Sequence, residues 1–102
     1  MKNDTDQFNV LRKLQKKPSS TQRELASVLN LSLGKINYCL KALQTKGLIK
    51  IKNFKKHKNK FQYYYLLTPK GIAEKTKITI SFMKRKMKEY DELKEELEKE
   101  GK

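Results

Sequence analysis

The chain is poor in almost everything that cross-links, kinks or cuts. Its single cysteine excludes an internal disulfide, and a cytoplasmic location fits that. It has two prolines, four glycines and no tryptophan in 102 residues. Each proline or glycine is therefore informative as a boundary. No apolar run approaches the length of about 20 residues needed to span a bilayer. The opening MKNDTDQFNV lacks the apolar core of a signal peptide. The one histidine, His57, and Cys39 do not make a metal site, which needs several ligands. There is no glycine-rich phosphate loop and no Ser/His/Asp or Cys/His constellation, so neither an enzyme nor a cofactor is expected. Internal repeats are also absent.

Acids are scarce as well. Eleven Asp and Glu stand against 25 Lys and Arg, a net charge of +14. Such a chain attracts polyanions and repels its own copies unless something offsets the charge. Nucleic acid is the first candidate partner, and an acidic membrane surface is the second. The imbalance is local. Residues 1–75 hold 17 Lys and Arg against 4 acids, whereas residues 76–102 hold 8 against 7. The length suits one small domain plus an extension. We therefore divide the chain into a basic head, 1–75, and a C-terminal segment, 76–102.

The head is organised around TQRELASVLNLSLGKINYCLKALQTKGLIK, residues 21–50. Thr21 and Glu24 have the spacing of a capping box, so a helix opens at Thr21. Asn30 suits the left-handed position that ends it. Leu31 is a plug for the core, and Ser32 can cap a second helix. In that helix Ile36, Cys39, Leu40 and Leu43 recur at helical spacing and should face inward. Lys35, Asn37, Tyr38 and Lys41 lie on the other side, and Gly47 stops the helix. Two helices joined by a short turn make a helix-turn-helix, whose second helix enters the DNA major groove. The same pattern also suits a small helical hairpin with a solvated lysine face.

Before this stretch, a helix is expected from about Thr5 or Asp6 to Lys17, with residues 1–4 loose. Phe8, Leu11 and Leu14, with Val10 nearby, form its apolar stripe, and Pro18-Ser19-Ser20 breaks it. After it, alternation in Ile49-Lys50-Ile51-Lys52 predicts a strand over 48–54, and FQYYYLL predicts a second over 61–67. The loop between them, Lys55 to Lys60, carries Lys55, Lys56, Lys58 and Lys60, with His57 a surface residue. A hairpin directly after a helix-turn-helix is the wing of a winged helix. Its lysines can meet phosphates, or can simply be solvated. Tyr63, Tyr64 and Tyr65 could stack on RNA bases, but strand alternation places at least one on the core. Cys39 reads as a core thiol; a redox role would need it exposed.

Thr68 can cap the last helix, and Pro69 suits its first position. Gly71 should weaken the first turn. The helix then runs to about Lys99, roughly 45 Å if unbroken, too long to pack fully on so small a head. Ile80, Met83, Met87, Tyr90 and Leu97 follow a heptad rhythm that Lys94 interrupts, and Phe82 and Leu93 broaden the stripe. A helix with that stripe should pair with a second copy or fold back over its own domain.

The order of elements resembles the MarR-type winged-helix regulators, and more narrowly the short members associated with exopolysaccharide gene clusters. The residues behind this are Thr21–Ala26, Ser32–Leu43, Lys46–Lys50, Asn53-Phe54, Leu67–Gly71 and Phe82–Met87 with Glu89-Tyr90. The resemblance runs from about Val10 to Leu97, and SLGKINYCLKAL is its most specific part. It implies a homodimeric regulator of duplex DNA, near genes for surface polysaccharide. The N-terminal extension of larger MarR proteins is nearly missing, so dimerisation should rest on the C-terminal helix.

The fold expected is mainly α with a small β-hairpin: a winged helix-turn-helix plus a long C-terminal dimerisation helix. Two heads would each place the third helix in a major groove, with half-sites about one turn apart. Lys35, Asn37, Tyr38 and Lys41 are the groove candidates. Ser32 and Gly34 offer backbone amides to a phosphate, Arg23 can touch the backbone, and the wing lysines flank the duplex. The rival reading is a winged-helix module that docks another protein or RNA without reading duplex sequence.

Overall fold

The structure, a computed structural model, describes residues 2–58 and 60–101, and side chains at 5–56, 58 and 60–101. Among these it forms α1 (Lys2–Lys16), α2 (Gln22–Leu29), α3 (Leu33–Thr45), β1 (Ile49–His57), β2 (Lys60–Leu67) and α4 (Pro69–Glu100). This is a winged helix-turn-helix with a long C-terminal helix, as expected. The expectation for the His57 side chain falls outside the described residues.

Local chemistry sets each helix end. The capping box is present: Glu24 N donates to Thr21 Oγ1 at 3.0 Å, and Thr21 N donates to Glu24 Oε1 at 3.1 Å. Asn30 takes the left-handed conformation at φ 56°, ψ 47°. Leu31 N then reaches back to Ala26 O at 2.9 Å, the long bond that closes a Schellman-type stop. Gly47, at φ 74°, ends α3 the same way, with Leu48 N donating to Leu43 O at 2.9 Å.

One apolar cluster unites the head. Val10, Leu11 and Leu14 of α1 meet Leu25 of α2, and Ile36, Cys39, Leu40 and Leu43 of α3. Leu48, Ile49 and Tyr65 close it from the hairpin, and Leu31 packs against its edge. The strands pair antiparallel from Ile49↔Leu67 to Lys55↔Phe61, with an irregularity between Lys55 and His57. Tyr65 is the buried tyrosine; Tyr63 points to solvent.

Three expectations need correction. First, α1 starts at Lys2 rather than near Thr5, because Lys2-Asn3-Asp4 contain no proline or glycine to stop the helix. It also ends at Lys16. Second, the strands are longer than expected. Lys55 and Lys56 belong to β1 and Lys60 opens β2, so of the four lysines only Lys58 lies in the turn. Backbone pairing carries the ladder past the point where the composition turns polar.

The third concerns Gly71. It does not mark a weak start. It is buried, and a Cβ placed there would stand 2.0 Å from Leu48 O. Its missing side chain is what lets α4 start against the end of α3. Around it Thr68 accepts from Gly71 N at 3.0 Å and donates through Oγ1 to Gly47 O at 2.7 Å. Thr68 N also bonds Leu48 O at 3.0 Å.

α4 then runs unbroken for 32 residues, so the 75/76 boundary drawn from charge falls inside it. Phe82 turns back to the head and packs edge-on against Phe8, ring centres 5.0 Å apart. Beyond that contact α4 leaves the head, and the molecule measures 70 × 26 × 21 Å.

Candidate nucleic-acid interface

α3 shows two unlike sides. Its inner side is fully engaged in the core through Ile36, Cys39, Leu40 and Leu43. Its outer side carries Gly34, Asn37, Tyr38 and Lys41, spaced three and four apart, which places them in one stripe. Tyr38 is 53% exposed and Lys41 is exposed, while Asn37 is half-buried. Ser32 caps the helix, accepting from Lys35 N at 3.0 Å. Gly34 has nothing but the Ser32 hydroxyl, 4.0 Å from where its Cβ would stand. The first-turn backbone is therefore open to an incoming group.

Lys35 departs from the rest. It is half-buried, and its ammonium lies 3.6 Å from Asp6 of α1. That pair ties α3 to α1. Of the groove candidates, Lys35 is the one already committed within the fold.

Sequence reasoning missed Leu33. It is in phase with Ile36, Leu40 and Leu43 and so reads as core, yet it is 49% exposed. The first turn of α3 reaches past the edge of the core. The result is an apolar side chain beside the open Gly34 backbone, suited to a thymine methyl.

The wing adds a second basic element. Ladder alternation puts Lys50 and Lys52 on one face of β1 and Lys55 on the other, and Lys56 falls at the irregularity. All of them, with Lys58 and Lys60, are exposed. Lys50 and Lys52 are further wing cations that the strand alternation itself could have revealed. Arg23 stands exposed at the start of α2. Its neighbour Glu24 is held by Lys17 at 2.7 Å and by the Thr21 amide. Those two bonds, Lys17 first, keep its carboxyl below the ordinary value.

Cys39 is fully buried, and burial pushes its thiol up from the ordinary value, with Asp6 adding to the effect. It is a core thiol as expected, and both effects work against a reactive thiolate. Among the described residues no group of His, Cys, Asp or Glu could hold a metal, and no helix is long and apolar enough to cross a membrane.

α1, the end of α3 and α4 enclose a cleft of ≈ 530 Å³. Its lining includes Phe8, Leu11, Leu43 and Phe82 together with Lys46, Lys70, Glu74 and Arg85. Lys46 donates to Gln7 there at 2.8 Å. Past the cleft, the predicted stripe of α4 is open to solvent, from 49% exposed at Ile80 through Met83, Met87 and Tyr90 to 68% at Leu97. Phe82 is the one member of the broader stripe that packs on the head.

The family described as winged helix-turn-helix DNA-binding matches residues 4–50. Solved structures match over more of the chain. A MarR family transcription regulator, SP03579, is 29% identical with a TM-score of 0.66, over 78% of this chain and 52% of its own. A variant of Lactococcus lactis ZitR is 25% identical with a TM-score of 0.66, over 86% of this chain and 57% of its own. A transcriptional regulator homologue from Pyrococcus horikoshii shares the fold at 18% identity and a TM-score of 0.63, over 83% and 82%. No curated protein matches the sequence. The chain thus spans little more than half the length of the first two regulators. It is a winged helix-turn-helix protein with the fold of the MarR family regulators.

Proposed function

We propose that the protein is a sequence-specific, DNA-binding transcriptional regulator of the cytoplasm that acts as a homodimer. The observation that carries the reading is the outer face of α3. Gly34, Asn37, Tyr38 and Lys41 stand clear of the core on a helix that a capped turn holds rigidly. α3 enters the major groove. Asn37 has the donor and acceptor pair that adenine requires, Lys41 reaches guanine or phosphate, and Leu33 and Tyr38 supply apolar contact. Ser32 and Gly34 present amides to a phosphate. Arg23 and the wing lysines hold the flanking backbone or minor groove and fix register without choosing sequence. Lys35 contributes charge from its place beside Asp6.

In this reading residues 1–75 are the DNA-binding unit and residues 76–102 the dimerisation segment. The apolar stripe of α4 from Ile80 to Leu97 pairs two copies, and half-sites follow on one face of the duplex. Similarity to a MarR family transcription regulator at 29% identity supports the regulatory role. Genes for exopolysaccharide synthesis are the proposed targets, on the SLGKINYCLKAL resemblance.

The deciding experiment is selection from a random duplex library at about 150 mM salt, where weak polycation binding is screened. The expected product is an enriched inverted repeat. Binding without enrichment, or none, refutes sequence reading and leaves a winged-helix module that docks protein or RNA.

A further inference from the structure

The reading that α4 pairs two copies leaves open which way the helices run. We infer that they run antiparallel, with the two-fold axis between Lys88 and Glu89 of each chain.

Charge and apolar pattern point to that place independently. α4 is built in two blocks of opposite sign. Residues 70–88 hold seven Lys and Arg against one Glu, and residues 89–100 hold seven Asp and Glu against two Lys. The sign changes between Lys88 and Glu89. Parallel pairing lays basic block on basic block and acidic on acidic. Antiparallel pairing lays each block on its opposite, and so supplies the offset that a chain of this net charge needs before it meets its copy.

The apolar stripe has its own midpoint. Ile80, Met83, Met87, Tyr90, Lys94 and Leu97 are the seam positions of a heptad, and they are symmetric about the same point. Reversing one helix there sets Met87 opposite Tyr90 of the second copy and Ile80 opposite Leu97. Lys94 falls opposite Met83. Each layer occurs twice by symmetry. On one flank of the seam Lys84 then pairs with Asp91 and Lys77 with Glu98, opposite in sign, while on the other Lys86 meets Leu93 and Thr79 meets Glu100, with no like charges opposed. Shifting one helix by a heptad toward its N-terminus brings Lys84 and Lys86 against their own copies and sets Leu97 on Ala73. The seam is free along its length: Ile80, Met83, Met87, Tyr90 and Leu97 are all exposed, and Phe82 and Ile78 occupy the side that faces the head.

From Pro69 to the axis is close to 20 residues, so the two α4 starts stand about 58 Å apart at 1.5 Å per residue. The heads therefore sit at opposite ends of a rod, and the length of the rod sets their separation.

Lys94 is the one charged seam residue. Such a residue costs stability and fixes register. Replacing it, Lys94→Leu, should tighten the dimer by roughly tenfold; an unchanged dissociation constant would place Lys94 outside the seam.

The direct test uses two full-length variants, Ile80→Cys and Leu97→Cys; the native Cys39 is buried and does not compete. Sedimentation equilibrium first establishes that each is a dimer. Each is then oxidised alone and after mixing with the other. A covalent dimer formed only in the mixture, joined 80 to 97, is the expected result. A covalent dimer in either single sample means parallel helices and overturns the inference while leaving the α4 dimer standing. A dimer that never cross-links excludes this register. A monomer removes pairing through α4 altogether, whatever the duplex selection returns.

Discussion

Gly71→Ala separates two arguments that give opposite signs. Taken from the sequence, alanine in the first turn of a helix is an improvement, worth about 1 kcal/mol over glycine. Taken from the structure, the added Cβ lands 2.0 Å from Leu48 O and 2.9 Å from Leu48 C. Those are backbone atoms, and no rotamer change relieves the overlap. Leu48 is also pinned: its N donates to Leu43 O at 2.9 Å, and its O accepts from Thr68 N at 3.0 Å. Relief must come from pushing α4 away from the end of α3. Overpacking of that kind costs about 1–3 kcal/mol, and a disturbed buried hydrogen bond adds about 1. Set against the helix gain, the variant should lose about 2 kcal/mol. For a domain near this size each kcal/mol moves Tm by about 4–8 °C. The assay is thermal and urea unfolding of both proteins at one fixed concentration, since the proposed dimerisation would link stability to concentration. A variant as stable as the parent, or more stable, would refute the close approach of α4 to Leu48 and restore the weak-start reading.

Four further outcomes follow from named contacts. Lys41→Ala should weaken duplex binding, and Asn37→Ala should relax sequence choice; an unchanged preferred sequence in selection removes Asn37 from base reading. Exchanging Lys55, Lys56, Lys58 and Lys60 for alanine should lower the salt slope of binding by about one unit per lost phosphate contact, and an unchanged slope places the wing away from DNA. Glu24 has its pKa lowered below the ordinary 4.5, so its contribution to stability is present above that pH and fades as pH falls through the lower folded value. Urea midpoints between about pH 5 and 3 should therefore fall less steeply in Glu24→Gln than in the parent; equal slopes would rule out the Lys17 and Thr21 bonds to this carboxylate as a source of stability. Cys39 should react with a thiol reagent only as the protein unfolds; fast labelling of the native protein would contradict its burial.

What the sequence revealed was what short-range chemistry decides. The capping box, the left-handed Asn30, the Schellman stop at Gly47 and the four inward residues of α3 each depend on neighbours within a few positions. The heptad stripe of α4 was legible for the same reason, being one helix long. What it hid depends on partners far along the chain. Lys35 reads as an outer-face cation until Asp6, 29 residues earlier, is found beside it. Phe82 reads as seam until Phe8 takes it. Leu33 keeps core phase but lies beyond the core's edge. The cleft has lining residues on α1, α3 and α4, and no periodicity announces it.

The residues around Gly71 also explain how α3 and α4 are joined. In the proposed dimeric regulator α3 would have to keep a set angle to the dimer axis, or half-site spacing would mean nothing. Here the connection is not a linker. α3 ends at Gly47, and Leu48 is bonded back into α3 through Leu43 O. The same Leu48 carbonyl and the Gly47 carbonyl are taken by Thr68, which caps α4. The last turn of α3 and the first turn of α4 thus share one hydrogen-bonded cluster, though 20 residues of wing separate them in sequence. Phe8 on Phe82 makes a second attachment, and Pro69 to Phe82 is about 20 Å at helical rise. Two attachments that far apart oppose both swivel and tilt of the head on α4, so a substitution that displaces Phe82 or Gly71 should change where α3 points relative to α4.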